Sequence, residues 1–127
     1  MSRRFWWVTG VVLVGVALVV CLMPMPPSND PFEFDDKIAH LLGHSALALY
    51  FTGLIERRRW WKIFAFLLAF GVGVEFAQHH MHLGREGDVR DVIGNTVGDL
   101  LGLLLGYLGL SRWPLWVASL FGKRAAE

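Results

Sequence analysis

Charge is scarce in this chain: only 18% of its 127 residues are Asp, Glu, Lys or Arg, where an ordinary soluble domain has about 25%. With 54% apolar or aromatic residues and a mean hydropathy of +0.45, too little charge is left to cover the apolar surface in water. That sets aside the soluble, disordered and disulfide-framework classes and points to a membrane protein. A basic excess is missing as well. Twelve Lys and Arg against eleven Asp and Glu leave a formal charge of +1, which provides no patch for neutralising phosphates and argues against a nucleic-acid partner. Cys21 is the single cysteine. It has no second thiol for a disulfide or a metal pair, and its apolar surroundings mark it as lipid-facing filler. No internal repeat suggests an inverted-repeat transporter.

What the chain does have is four apolar segments. Residues 5–23 carry no charge, and at about 1.5 Å per residue they reach roughly 28 Å, the thickness of a bilayer hydrocarbon core. Arg3 and Arg4 precede this segment, but it exceeds a signal peptide's apolar region and no small-x-small cleavage site follows, so it reads as an uncleaved anchor. Val19 and Val20 stand where a lipoprotein signal would place small residues before Cys21. Four prolines between 24 and 31 then end the helix. A second span, 38–55, is interrupted only by His40 and His44. A basic turn at 56–62, with interfacial Trp60 and Trp61, leads into a third span, 63–79, holding Glu75. A polar loop precedes the fourth span, 92–110, and residues 111–127 form a short amphiphilic tail. The expectation is an all-α, four-transmembrane-helix bundle forming a single domain over 1–127.

Nine of the twelve basic residues (Arg3, Arg4, Arg57, Arg58, Arg59, Lys62, Arg112, Lys123, Arg124) fall on one side of this layout and three (Lys37, Arg85, Arg90) on the other. Short cytoplasmic segments retain Lys and Arg. Both termini and the 56–62 turn are therefore expected in the cytoplasm, with 24–37 and 79–91 outside.

Polar residues that a membrane protein has no general use for gather at the outer ends of spans two, three and four. Asp36, His40 and His44 lie at i, i+4 and i+8 on one stripe. Glu75, Gln78, His79 and His82 make a second stripe, and Asp88, Asp91, Asn95 and Asp99 a third. Three such stripes can meet in one pocket. Asp35, Asp36 and Asp91 also have a plain use as helix-start acids beside the positive end of the dipole. His79, His80 and His82 are weak metal candidates and equally ordinary interfacial residues. Glu75 and Asp99 are harder to explain away, because a mid-helix carboxylate costs about 2.5–3.5 kcal/mol on insertion scales and persists where it faces a polar interior. Gly94, Gly98, Gly102 and Gly106 form a four-residue ladder on span four, a small-residue ridge for close packing within the bundle.

These residues resemble the VanZ-like family of small bacterial membrane proteins over about half the chain, from Asp36 to Gly102. The matching pieces are Asp36-Lys37-x-x-His40, then Glu75-x-x-Gln78, then Arg85, Asp88 and Asp91-x-x-x-Asn95-x-x-Gly98-x-x-x-Gly102. Leu83 stands where a proline is expected before Gly84-Arg85, and Asp99 where a small apolar residue is usual. The resemblance implies a multi-pass protein of the bacterial inner membrane, in a family named for resistance to the glycopeptide teicoplanin; it supplies no reaction and no cofactor. From the residues themselves, Asp36, Lys37, His40, Gln78, Arg85, Asp88 and Asn95 are the candidates to bind an anionic lipid or cell-wall-precursor head group. His40, Glu75 and Asp91 are the acid/base candidates should the site modify its ligand. No nucleophile motif accompanies them; Ser45 is the one plausible hydroxyl nearby. The alternatives are an ion or proton carrier using Glu75, His44 and Asp99, and a scaffold whose polar cluster only locks helix ends.

Overall fold

The computed structural model describes residues 2–23, 34–81 and 89–125, apart from the side chains at 34–35 and 123–125. Among these residues there are five α-helices and no strand: α1 (Arg3–Leu22), α2 (Phe34–Thr52), α3 (Trp60–Met81), α4 (Val89–Tyr107) and α5 (Trp113–Ala125). The Ser2 hydroxyl starts α1 by accepting from the Phe5 amide at 3.2 Å. A short 3₁₀ turn, Arg57–Arg59, leads into α3. The α4 helix stops where Gly109 takes a φ of +124°, a conformation only glycine adopts cheaply.

The segment expected as a short amphiphilic tail is helical over Trp113–Ala125. The chain turns through 76° between Val89–Tyr107 and Leu110–Gly122 and continues as α5. Pro114 does not prevent this, because in the first turn of a helix its missing N–H was not needed. By length and apolarity α1 and the 57–81 segment can each cross a membrane, and the bent pair would add a third crossing if counted as one span. The described chain is thus that of a helical membrane protein.

Its surface and interior are reversed relative to a soluble domain. Val8, Val11, Trp61, Phe76, Val89 and Leu108 are among many large apolar side chains left exposed, as a lipid solvent allows. Inside, among the described residues, nine polar or charged side chains are buried against six apolar ones. Five of the apolar ones, Leu47, Ala48, Phe51, Ile63 and Leu67, form a small cluster toward one end of the bundle. The polar ones occupy much of the rest.

The centre is the pairing of α2 with α4. A Cβ on Gly98 would meet the Leu41 carbonyl oxygen at 2.5 Å, one on Gly102 would collide with the Ser45 carbonyl oxygen, and one on Gly106 would come within 2.7 Å of Thr52 Oγ1. Close backbone approach of this kind supplies the van der Waals contact that holds helices together in lipid. Gly94 is not part of the seam: a Cβ there meets nothing within 4 Å among the described residues. With 3.6 residues per turn, each four-residue step rotates the ladder by about 40°, so its first member is turned about 120° away from Gly106.

Candidate functional site

The inward faces of three helices bring the polar residues together. On α2 the buried polar residues are His40, His44, Ser45 and Thr52; on α3, Glu75 and Gln78; on α4, Asp91, Asn95 and Asp99. Asp99 is 0% exposed and Asn95 and Gln78 are 2% exposed, so each needs a polar partner or forfeits its hydration.

At the ends of the helices the pairing is ionic. Lys37 Nζ donates to Asp91 Oδ1 at 2.7 Å, tying the start of α2 to the start of α4. Lys37 is therefore half of an interhelical ion pair rather than a freestanding cation. One turn deeper, His40 Nε2 lies 3.6 Å from Asp36 Oδ2, an i, i+4 pair on α2. A further turn inward, the Asp99 carboxylate accepts from His44 Nδ1 at 2.7 Å, joining α2 to α4 in the interior. An ionised carboxylate only accepts, so the bond directs the Nδ1 hydrogen of His44 at Asp99 and fixes the orientation of the ring. The Ser45 hydroxyl sits between the same helices, 2.8 Å from Leu41 O and 3.0 Å from Gly98 O. This spends it on backbone carbonyls and removes it as a nucleophile candidate.

Gln78 is also committed. Its Nε2 donates to Cys21 O at 2.7 Å, so it fastens the last turn of α1 to α3. Glu75, one turn earlier on α3, is buried on the same face. His79 belonged to that stripe by spacing, but it is exposed, as is His80. The buried face of α3 runs through Ile63, Leu67, Gly71, Val74, Glu75 and Gln78, and the next residue is rotated about 100° off it. The His80 ring approaches Phe76 O at 2.9 Å and meets the His79 ring edge-on, with ring centres 5.3 Å apart. Among the described residues no three His, Cys, Asp or Glu side chains come together as a metal site. His82, Arg85 and Asp88 lie outside the described residues.

The focus of the cluster is Asn95. Neither its Nδ2 nor its Oδ1 has a hydrogen-bond partner among the described residues, and the same holds for Asp99 Oδ2. Gly71 makes room for the amide: a Cβ there would lie 3.1 Å from Asn95 Nδ2 and 3.4 Å from His44 Cε1. A buried donor, a buried acceptor and an oriented imidazole thus share one small space between α2, α3 and α4. Sequence reasoning placed His44 on the polar stripe of the second span and in the ion-carrier alternative, though not among the head-group ligands, and it did not single out Gly71. The available signal was Gly71's position one turn before Glu75, on the same face.

A groove opens beside this cluster, between α1 and α2. It is lined by Val16, Val20, Ala39, Gly43 and Phe70 among others, with Asp36, His40 and His44 at one end, and has a volume of about 460 Å³.

Residues 27–110 match the family described as VanZ/LLP1. No curated protein and no solved structure matches the chain.

Proposed function

Because the chain belongs to the VanZ/LLP1 family, matched over residues 27–110, we propose that it is a four-span protein of the bacterial inner membrane with both termini in the cytoplasm. The polar ends of α2, α3 and α4 then form an outer-leaflet pocket that binds, or binds and modifies, the head group of an anionic lipid or lipid-linked cell-wall precursor. A change in glycopeptide susceptibility, teicoplanin included, would follow from that activity.

The observation that carries this reading is Asn95, whose amide offers both a donor and an acceptor without a partner among the described residues. Leaving such groups buried costs about 1–3 kcal/mol each, a cost a bound head group removes. His40 and His44 add two imidazoles, each set against a carboxylate, the arrangement a proton transfer would use if the ligand is modified. Arg85, which lies in sequence between α3 and α4, is a fork-shaped donor suited to phosphate or carboxylate.

Native mass spectrometry of gently solubilised protein tests the proposal. The wild type should retain one class of anionic lipid, and Arg85→Ala should lose it while staying folded. Equal retention of every lipid class, unchanged by the substitution, contradicts it. The second reading, a scaffold, draws on the Lys37–Asp91 pair and the Gln78–Cys21 hydrogen bond, both of which join helices. It expects Arg85→Ala to change nothing in lipid retention.

A further inference from the structure

The helix α1 is fastened to the bundle at two levels. At its start, the Tyr50 hydroxyl donates to Trp6 O at 2.7 Å, Trp7 meets Phe51 with ring centres 5.9 Å apart, and Gly10 faces the Tyr50 and Phe51 rings. At its end, Gln78 holds Cys21 O. Between these two fastenings lies the groove, and small residues on α2 give it depth. Ala39, Gly43 and Ala46 line it, and a Cβ on Gly43 would meet nothing within 4 Å among the described residues. Where small residues on α4 bring backbones into contact, these on α2 leave space that no described part of the chain fills.

The groove is apolar over most of its length and has polar residues at its ends. Val16, Val20 and Phe70 give it apolar walls, Asp36, His40 and His44 sit toward one end, and Tyr50 marks the other. From Asp36 to Tyr50 along α2 is about 21 Å, comparable with the roughly 15 Å of one leaflet's hydrocarbon plus a head group and well short of a whole bilayer. Its volume of about 460 Å³ is on the scale of a single hydrocarbon chain, at about 27 Å³ per methylene.

We propose that this groove seats one hydrocarbon chain of a membrane lipid, running from Tyr50 toward His40 with the lipid's polar end at the histidines. For that polar end the inference rests on the head-group reading above; for the chain it rests on the groove alone. It makes the ligand an amphiphile drawn from the bilayer rather than a water-soluble anion.

The test uses the full-length protein in phosphatidylcholine nanodiscs containing either phosphatidylglycerol or phosphatidylcholine with a photoreactive diazirine partway along one acyl chain. Adducts mapped by mass spectrometry should concentrate on residues 13–21 and 39–47. Gly43→Leu and, separately, Ala39→Leu should each lower this labelling by about tenfold, since a filled groove no longer buries several methylenes. Gly15→Leu, also in open space but not lining the groove, should leave it unchanged, and thermal midpoints of all three should stay near wild type. Adducts spread evenly around the bundle, or undiminished in folded Gly43→Leu and Ala39→Leu variants, overturn the proposal. The polar end is scored separately with His40→Ala, which should bring phosphatidylglycerol labelling down to the phosphatidylcholine level. If both lipids label the groove alike and His40→Ala changes nothing, the chain groove stands and the head-group reading fails.

Discussion

Asp99 and Asp91 are both buried carboxylates on α4, yet their environments ask different things of them. Asp91 sits near the helix start, where Lys37 reaches it from a side chain that is 27% exposed. Its ion pair is partly hydrated, so it contributes modestly and orients more than it stabilises. Asp99 is fully enclosed and accepts from His44 at 2.7 Å. Removing one partner there strands the other in a low-dielectric interior, so Asp99→Ala should lower stability by about 1–3 kcal/mol, read as a fall in the thermal midpoint in detergent. Asp99→Asn retains an acceptor for His44 Nδ1 and should recover most of that loss. A drop of the same size for both variants would mean that the charge, not the hydrogen bond, is what the interior requires.

At the scale of elements, the seam between α2 and α4 makes the sharpest contrast. Gly102→Ala would push a methyl group into the Ser45 carbonyl oxygen and should cost at least about 1–3 kcal/mol by overpacking. Gly94→Ala meets open space among the described residues and should be neutral or stabilising by up to about 1 kcal/mol, the helix-propensity difference between alanine and glycine. Thermal melts of the two variants side by side check this, and equal behaviour would contradict the seam. Much of the arrangement was legible in the chain. Apolar runs and proline breaks located the helices, and the expense of a mid-membrane carboxylate indicated that Glu75 and Asp99 turn inward. Less legible was which donor would meet which acceptor. Lys37 and Gln78 carry the same chemistry whether they await a ligand or hold a neighbouring helix, and only the crossing of the helices decides that Lys37 faces Asp91 and Gln78 faces Cys21 O. The segment 111–127 was legible only as an amphiphilic tail, and a helix starting at Trp113-Pro114 was not anticipated. Gly94 was miscast because a four-residue ladder is straight in sequence and drifts around a real helix.

For the molecule as a whole, the distribution of charge and the position of the polar cluster bear on one another. Nine basic residues lie at the end away from the cluster by the four-span layout, which the positive-inside tendency assigns to the cytoplasm. Under the proposed topology the cluster lies in the outer leaflet. On a Cys21→Ser background, Asp30→Cys should react with a membrane-impermeant thiol reagent in intact cells and Arg58→Cys should not; the reverse pattern would move the polar pocket to the cytoplasmic leaflet. Such an inside-out build, with polar residues outnumbering apolar ones in the interior among the described residues, is costly unless the polar groups are used. That makes Asn95 the residue at which scaffold and binding site part company. Asn95→Leu replaces two buried groups lacking partners among the described residues with an apolar side chain of similar size. If the cluster only locks helices, the change should leave stability equal or higher and lipid retention as in the wild type. The most direct measurement is native mass spectrometry of Asn95→Leu beside wild type, each with its thermal midpoint: the account predicts an unchanged or raised midpoint together with loss of the retained anionic lipid, whereas a stable variant that keeps the lipid in full would contradict it.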